Sequence, residues 1–317
     1  FGPPGGQKMT VFMDDLSMPE KNVWGDQPTL EFIRQLVETS GFCFLDKDKR
    51  GDLKQIEDLQ YISAMGHPGG GRQDVPNRLK RHFFVFNMIL PSNQTINEIY
   101  GQMLKGRFSG VGAYFQEIIK HLPNTTVALW TFMRVKMLPS PTKFHYTFNL
   151  RDLARVFQGV LRTPRSSIPD TQVFMKLWRH ECMRVFEDKL TNDKDKLMFT
   201  EQLDLDTQNL LTKCDTPQMR SAISAKPIST KGGKFSKGPS TLDSAGGVTK
   251  DVLVTLADIQ EECFFVDFLR DDEYDEDGEM VNEAPKIYEL GESMAFLRTR
   301  VHEFLANYNE TYPSRAL

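Results

Sequence analysis

The sequence lacks several features whose absence narrows the class of protein. No apolar run approaches the roughly 20 residues that a membrane-spanning helix needs, so we expect no membrane partner. Basic residues are not in excess, with 39 Lys and Arg against 43 Asp and Glu, so we expect no nucleic-acid partner. The four cysteines form no C-x-x-C pair, which indicates reduced intracellular thiols rather than disulfides or a zinc site. No sustained heptad pattern predicts a coiled-coil stalk.

Apolar residues make up 39% of the 317 residues, which is typical of a globular protein with a substantial core. Residues 1–90 predict an α/β unit, because short apolar runs alternate with turn residues and one helical pattern. The predicted elements are strands at 11–13, 60–65 and 83–86, a hairpin from residue 41 and a helix over 30–37. From residue 91 to about 190 the apolar spacing becomes helical. Strands followed by helices predict an α/β subdomain with a helical lid.

The rest of the chain changes in composition. Residues 213–250 are dominated by Thr, Ser, Gly and Lys, which predicts a flexible linker or insert. The acidic run at 271–277 predicts a solvated loop, and a helix is predicted over 292–308. The predicted domains are therefore 1–90, 91–212, the linker, and a helical lead-in to another module over 251–317.

The strongest local signal is the apolar strand at 11–13, which ends in Asp14 and Asp15. Such a strand followed by two carboxylates is what a Walker B element needs. The buried strand makes its end rigid, so the first carboxylate can hold Mg²⁺ and the second can polarise the water that attacks a γ-phosphate. The alternative is a strand followed by an acidic turn that has no catalytic role, because a motif this short often occurs by chance.

Residues 2–10 imitate a phosphate-binding loop. In the pattern G-x-x-x-x-G-K-[ST], Gln7 stands at the second glycine and Met9 at the Ser or Thr that would hold Mg²⁺. A phosphate-binding loop also leads into a helix whose N-terminus meets the phosphate, whereas a strand is predicted here. We therefore predict no phosphate cradle in this segment, and the full pattern occurs nowhere else in the chain.

Two further segments allow both a structural and a functional interpretation. The glycine-rich stretch from Gly66 to Arg72 is either an anion-binding nest or a tight connection that needs positive φ angles. The basic cluster at 78–82 is either a solvated helix end or the source of an arginine that reaches a neighbour's nucleotide. The sequence leaves both pairs of alternatives open.

Taken in order, several segments resemble those of dynein heavy chains. Their amino-acid sequences are more similar to axonemal, outer-arm members than to cytoplasmic ones. The matching segments are the Walker B region at 11–19, 24–28 and 33–35, sensor 1 at 64–72, the arginine-finger segment at 77–83, the sensor 2 helix at 148–156, the next lid helix at 177–186 and the entry to a following module at 305–310. The resemblance implies an α/β fold, with a partial AAA+ large subdomain containing a parallel sheet, followed by an α-helical lid. The third AAA+ module of the motor ring is the best match. With no initiator Met at Phe1, we expect an excised piece whose Walker A lies upstream.

The resemblance also implies roles for individual residues. Asp14 would hold Mg²⁺ through water, and Asp15 would be the catalytic carboxylate. Gly66 and His67 would occupy the sensor 1 position beside the nucleotide. Arg151 would be the sensor 2 arginine, which touches the γ-phosphate from the lid and couples nucleotide state to lid angle.

Arg78 and Arg81 are the candidates for an arginine finger that acts in trans on the neighbouring module's site. Two positions depart from the family pattern. Asp15 stands where active sites usually have Glu and is one methylene shorter, so its reach to the attacking water is reduced. Gly66 stands where a polar Asn is usual and has no side chain to orient water. Both departures favour slow or regulatory hydrolysis.

The resemblance implies a part of a dynein motor ring, which performs ATP-dependent microtubule-based movement in cilia or flagella. We expect ATP or ADP and Mg²⁺ in the intact motor and negligible nucleotide binding by the isolated chain, which makes its activity as an enzyme uncertain. The implied partners are adjacent AAA+ modules, dynein intermediate and light chains, and the microtubule through a stalk outside this chain. The implied location is the cytoplasm, in the axoneme and cytoskeleton. The alternative is a non-catalytic AAA+-derived scaffold or interaction segment.

Overall fold

The computed structural model describes residues 1–224, 250–261, 263–271, 273–274 and 280–313. The chain divides into two compact units, Phe1–Leu90 and Pro91–Leu317, and each has its own apolar core. Among the described residues, no helix combines the length and apolar character needed to cross a membrane.

The first unit contains short strands and one long helix, as the α/β pattern predicts. Its elements are β1 (Met9–Met13), α1 (Pro28–Thr39), β2 (Gly41–Cys43), β3 (Leu53–Gln55), β4 (Leu59–Ser63) and α2 (Asn77–Lys80), with 3-10 turns at Pro4–Gly6 and Lys47–Lys49. β1 and β4 are parallel neighbours, in register from Met9 opposite Leu59 to Met13 opposite Ser63. β2 and β3 form the antiparallel hairpin. The predicted α/β fold with a parallel sheet is confirmed, and the parallel sheet of the described residues has two strands.

Only one face of the β1–β4 pair is covered. A small cluster of buried side chains, with Met13, Ile33 and Phe83 packed against it, consists of Leu16, Leu30, Val75 and Leu79. On the other face, Phe12 and Ile62 lie opposite each other and are 61% and 45% exposed. The expectation that the strand before Asp14 is buried is therefore wrong, since Val11 and Met13 of β1 are half-buried and its other residues are exposed. Side chains alternate along a strand, and the described residues of this unit supply cover for one side only.

The strand predicted at 83–86 is also absent from the described structure. Residues 83–90 contain no helix or strand, and Phe84 is 91% exposed. The continuous apolar run is typical of a strand that is buried on both faces. A strand also needs a neighbouring backbone for its hydrogen bonds, and the described strands pair among themselves as β1 with β4 and β2 with β3.

The second unit begins with six helices, as its helical spacing predicts in part. They are α3 (Asn93–Arg107), α4 (Ala113–Lys136), α5 (Leu150–Arg162), α6 (Thr171–Cys182), which continues as a π turn at Met183–Glu187, α7 (Asp193–Cys214) and α8 (Pro217–Ser224), with a 3-10 turn at Arg165–Ser167. Ser92 caps α3 by accepting a hydrogen bond from the Thr95 amide at 3.2 Å. Asn149 and Asp152 form a capping box at the start of α5. The lid that follows the α/β part is therefore helical, as predicted.

Helical structure continues past the boundary predicted at residue 212. α7 runs through Cys214 and α8 ends at Ser224, so the first part of the predicted linker is helical, and residues 225–249 lie outside the described residues. The remaining elements are α9 (Leu256–Ile259), β5 (Phe265–Val266), β6 (Glu273–Tyr274), β7 (Met280–Asn282), β8 (Glu289–Leu290) and α10 (Met294–Thr311). Only the last of these is the predicted terminal helix. Most of the predicted acidic loop at 271–277 also lies outside the described residues.

Several described residues between 250 and 290 contribute to the core of the second unit. Val254, Ile259, Phe265 and Tyr288 are buried in the same cluster as the helices. The Asp251 carboxylate accepts hydrogen bonds from the amides of Tyr114 and Phe115, at 3.2 Å each, at the N-terminus of α4. The segment is held because its apolar side chains complete the helical core.

A buried carboxylate further fixes this segment. Glu181 of α6 is fully buried, and its Oε1 accepts a hydrogen bond from the Tyr288 hydroxyl at 2.6 Å. Its Oε2 accepts from Nε and Nη2 of Arg184 at 3.0 and 2.6 Å. The carboxylate lies against Gly159 of α5, where a Cβ atom would come within 1.9 Å of Oε2. Burial, and then the bond to Glu181, raises the pKa of Tyr288, so its hydroxyl remains a donor at neutral pH.

Candidate functional site

Two carboxylates follow β1, at the carboxyl end of the parallel pair β1–β4. Asp14 and Asp15 are both exposed, and the Asp15 amide donates to Asp14 Oδ1 at 2.9 Å. Asp15 has a φ of 48°, in the left-handed region that few non-glycine residues adopt. The turn is held by amides of Met18, which donates to the Asp15 carbonyl at 2.9 Å, and of Leu16, which donates to the Ala64 carbonyl at 3.0 Å. Backbone bonds within the turn and to the segment after β4 therefore fix the position of the backbone that carries both carboxylates.

The glycine-rich stretch lies after β4, at the same end of the pair. Gly69, Gly70 and Gly71 all have positive φ, at 123°, 58° and 85°. Gly69 and Arg72 exchange backbone hydrogen bonds at 3.0 and 3.2 Å, which closes a tight turn. The stretch therefore contains a turn that needs glycine for its backbone conformation, as the structural alternative requires. His67 lies exposed at the start of this turn.

The turn brings Arg72 back towards Asp15. Arg72 Nη2 lies 3.7 Å from Asp15 Oδ1, and both side chains are about half exposed. The Arg72 side chain packs against Gly66, where a Cβ atom would come within 2.7 Å of both Cδ and Nε. Asp14, Asp15, Gly66 and Arg72 are thus brought together at one end of β1–β4. The sequence interpretation named Arg72 only as part of the glycine-rich stretch, and its one signal was a basic residue directly after a glycine turn.

The two arginine-finger candidates stand on α2 of the same unit. Arg78 Nε lies 2.6 Å from Glu31, and its Nη2 lies 3.7 Å from Asp26. Arg81 Nη2 lies 2.8 Å from Glu38. Both guanidinium groups therefore pair with carboxylates on or just before α1.

Arg151 belongs to the second unit, where it is the second residue of α5. Its amide donates to the Asn149 side chain at 2.9 Å as part of the capping box, and its own side chain is exposed. The cap fixes where the helix begins and thereby fixes the position from which Arg151 extends.

The donor set after β1 fits a water-coordinated Mg²⁺ and does not fit a metal held by protein atoms alone. In the part of the chain that the structure describes, no three His, Cys, Asp or Glu side chains lie close enough to hold a metal ion. Mg²⁺ keeps several waters and takes one or two carboxylates together with phosphate oxygens. Asp14, exposed and oriented by the Asp15 amide, meets that requirement as a single carboxylate.

Comparison with protein families gives two matches, one in each unit. Residues 1–91 match the family described as the P-loop containing dynein motor region. Residues 122–214 match the AAA+ lid domain. The order of the two matches is that of the α/β part and the helical part of the fold.

Individual proteins match almost the whole chain. The chain is 39% identical, over 98% of its length, to mouse dynein axonemal heavy chain 5 and to human dynein axonemal heavy chain 8, and it spans 6% of each. It is 46% identical to the dynein gamma chain of the flagellar outer arm of Chlamydomonas reinhardtii, over 62% of this chain and 5% of that protein. The chain thus spans about one-twentieth of the length of these relatives. With the dynein motor match in one unit and the AAA+ lid match in the other, this chain belongs to the axonemal dynein heavy chain family.

Proposed function

We propose that this chain is the hydrolysis half of a nucleotide site in a dynein motor ring, and that the ring drives ATP-dependent, microtubule-based movement in the axoneme of a cilium or flagellum. The observation that carries the proposal is the position of Asp14 and Asp15 at the carboxyl end of a parallel strand pair, beside a glycine turn. Ligands of open parallel sheets bind outside this end of the strands. The dynein motor match over residues 1–91 supports the same assignment.

In the proposed site, each carboxylate has its own task. Bound Mg²⁺ would neutralise charge on the phosphate oxygens. Asp14 would hold the waters of that ion, because its carboxylate is exposed and oriented by a backbone amide. Asp15 would orient and polarise the attacking water. Its side chain is one methylene shorter than Glu, and Gly66 presents no polar side chain beside it, so we propose slow or regulatory hydrolysis.

The other site residues would act at this nucleotide or at that of the neighbouring module. Arg151 would contact the γ-phosphate from the lid, because an exposed guanidinium at a capped helix start is suited to bind phosphate. Arg78 or Arg81 would serve the site of the neighbouring module as an arginine finger. Each would first leave its present carboxylate partner, and these exposed ion pairs cost little to break. His67, exposed beside Gly66, would lie at the edge of the nucleotide.

We further propose that the segment belongs to the third AAA+ module, with a Walker A contributed by the parent protein. Adjacent AAA+ modules of the same heavy chain would be its direct partners. Dynein intermediate and light chains and the microtubule would be partners of the whole motor. Residues 1–91 and 122–214 support the placement within one module, because they match a motor region followed by a lid.

The experiment replaces Asp15→Asn in the intact heavy chain. The amide cannot polarise the attacking water, so hydrolysis at this site should slow by about a hundredfold or more. After incubation with ATP and rapid gel filtration, the retained nucleotide should contain a larger fraction of ATP than in the unchanged chain. The matched control is Asp48→Asn, in an exposed turn of the same unit. A retained ATP fraction that equals that of the control would contradict catalysis and favour the non-catalytic scaffold.

A further inference from the structure

The ion pair between Arg72 and Asp15 connects the glycine turn to the carboxylate proposed for catalysis. We propose that Arg72 is a positioning residue. Its guanidinium pairs with Asp15 when no γ-phosphate is present, and it moves to bind the γ-phosphate when ATP binds. This inference rests on the proposed nucleotide site and adds to it a residue that discriminates triphosphate from diphosphate.

Both partners of the pair are positioned by backbone bonds. Next to Arg72, the Gln73 amide donates to the Ser17 carbonyl at 2.7 Å, which joins the end of the glycine turn to the segment after β1. Ser17 follows Asp15 by two residues, so this hydrogen bond holds together the two segments that carry Arg72 and Asp15. Ser17 is itself buried, at 1% exposure. Backbone hydrogen bonding therefore holds Arg72 near Asp15.

Gly66 provides the space that Arg72 occupies. Any side chain at this position would bring its Cβ within 2.7 Å of Arg72 Cδ and Nε. The stem of Arg72 thus fills the place beside β4 where a side chain of residue 66 would otherwise stand, and it carries a guanidinium towards Asp15. A cation is thereby presented at the end of the strands, where the proposed phosphate would lie.

The ion pair between Arg72 and Asp15 is weak enough for a phosphate to replace Asp15 as the partner of Arg72. At 3.7 Å the contact is longer than a hydrogen bond, and 43% of the Arg72 side chain and 52% of the Asp15 side chain are exposed. Exposed ion pairs of this kind are weak, so a partner with more charge can take over the guanidinium. A γ-phosphate offers several charged oxygens, and guanidinium binds phosphate through two parallel hydrogen bonds. A diphosphate leaves no such partner there, and Arg72 stays with Asp15.

The exchange would couple nucleotide state to the catalytic carboxylate. While Arg72 holds Asp15, the carboxylate is turned to a cation rather than to water. When the γ-phosphate draws Arg72 away, Asp15 becomes available to the attacking water. Arg72, at the end of the glycine turn, would thus contact the γ-phosphate, which Gly66 cannot do because it has no side chain.

The test uses the intact heavy chain and 8-azido-ATP or 8-azido-ADP, with photolabelled peptides of this segment's module quantified by mass spectrometry. Arg72→Ala should raise the half-saturating concentration of the triphosphate about tenfold, the loss of one charge-assisted contact, and leave that of the diphosphate unchanged. Gly66→Ser should have a similar effect with Arg72 intact, because it displaces the Arg72 side chain. For Arg72→Lys, the half-saturating concentration of the triphosphate should lie between those of the unchanged chain and Arg72→Ala. The control is Arg50→Ala, in an exposed turn.

Two results would overturn the inference while leaving the nucleotide site in place. One is an unchanged ratio of triphosphate to diphosphate affinity in Arg72→Ala. The other is an equal loss of both affinities, which would indicate a structural role for Arg72. If the module of the unchanged chain is labelled by neither nucleotide, the proposed function itself fails, and with it the role of Arg72.

Discussion

At the scale of single residues, glycine marks the places where a polar side chain lies directly on the backbone. Gly159 faces the Glu181 carboxylate, Gly112 faces Asp251, and Gly66 faces Arg72. In each case the distance from the ideal Cβ position to the nearest atom is 2.7 Å or less. These three glycines are therefore set by their spatial neighbours, whereas the glycines at 69–71 are set by positive φ.

We expect Gly159→Ala to destabilise the second unit strongly. The new methyl group would displace the Glu181 carboxylate from Tyr288 and Arg184, and a buried charge that loses its partners costs roughly 3–5 kcal/mol. Urea denaturation followed by tryptophan fluorescence measures the change in the free energy of unfolding.

The matched control for this change is Gly106→Ala. Gly106 is exposed within α3, and no atom lies within 4 Å of its ideal Cβ position. The control should raise stability by about 0.5–1 kcal/mol, because alanine loses less backbone entropy than glycine in a helix. Equal effects of the two substitutions would show that Glu181 does not depend on the space above Gly159.

At the scale of elements, the segment after residue 250 supplies the N-terminal cap of α4. The residue before this 24-residue helix is Gly112, which has no side chain to accept a hydrogen bond, and the Asp251 carboxylate takes that task. A carboxylate at a helix N-terminus also interacts favourably with the helix dipole. Nothing in the local sequence of α4 indicates this cap.

Asp251→Ala should lower the free energy of unfolding of the second unit by about 1–2 kcal/mol, the cost of losing a capping carboxylate. Gly112→Ala should have a comparable cost, since its Cβ would come within 1.9 Å of Asp251 Oδ2. The double variant, measured in the same urea titration, should lose less than the sum of the two, because both remove one interaction. Strict additivity would contradict this account, and Asp48→Ala is the exposed control.

At the scale of the whole molecule, the two units differ in how much core they contain. The first unit buries four apolar side chains in its cluster. The second buries a large cluster that includes both Trp130 and Trp178. Since burial of apolar surface is the main stabilising term, the two units should differ in their ability to fold alone.

We expect residues 91–317 to unfold cooperatively when produced alone, and residues 1–90 to lack a cooperative transition. The reason is the number of buried apolar side chains in each cluster. Circular dichroism in urea, with tryptophan fluorescence from the second unit, distinguishes the two outcomes. A sharp transition for residues 1–90 alone would contradict the prediction.

Much of the fold and of the site could be predicted from local patterns, and the failures have physical causes. The strand before Asp14, the α1 helix and the helical character of residues 91–190 follow from short-range periodicity. The strand predicted at 83–86 failed because a strand needs a partner that local sequence does not specify. Helix α7 lies almost wholly within the predicted helical lid, and its buried side chains at Phe199, Leu203, Leu210 and Cys214 fall on one face at helical spacing.

The sequence by itself determined the order of elements, an α/β part followed by helices, and the place of Asp14 and Asp15 at a strand end. These depend on residues that are close along the chain. Only the tertiary structure decided that Arg72 lies beside Asp15, that Tyr288 bonds to Glu181 and that Asp251 caps α4. The last two pairs join residues 107 and 137 positions apart, and their contact depends on how helices and turns pack rather than on any local pattern.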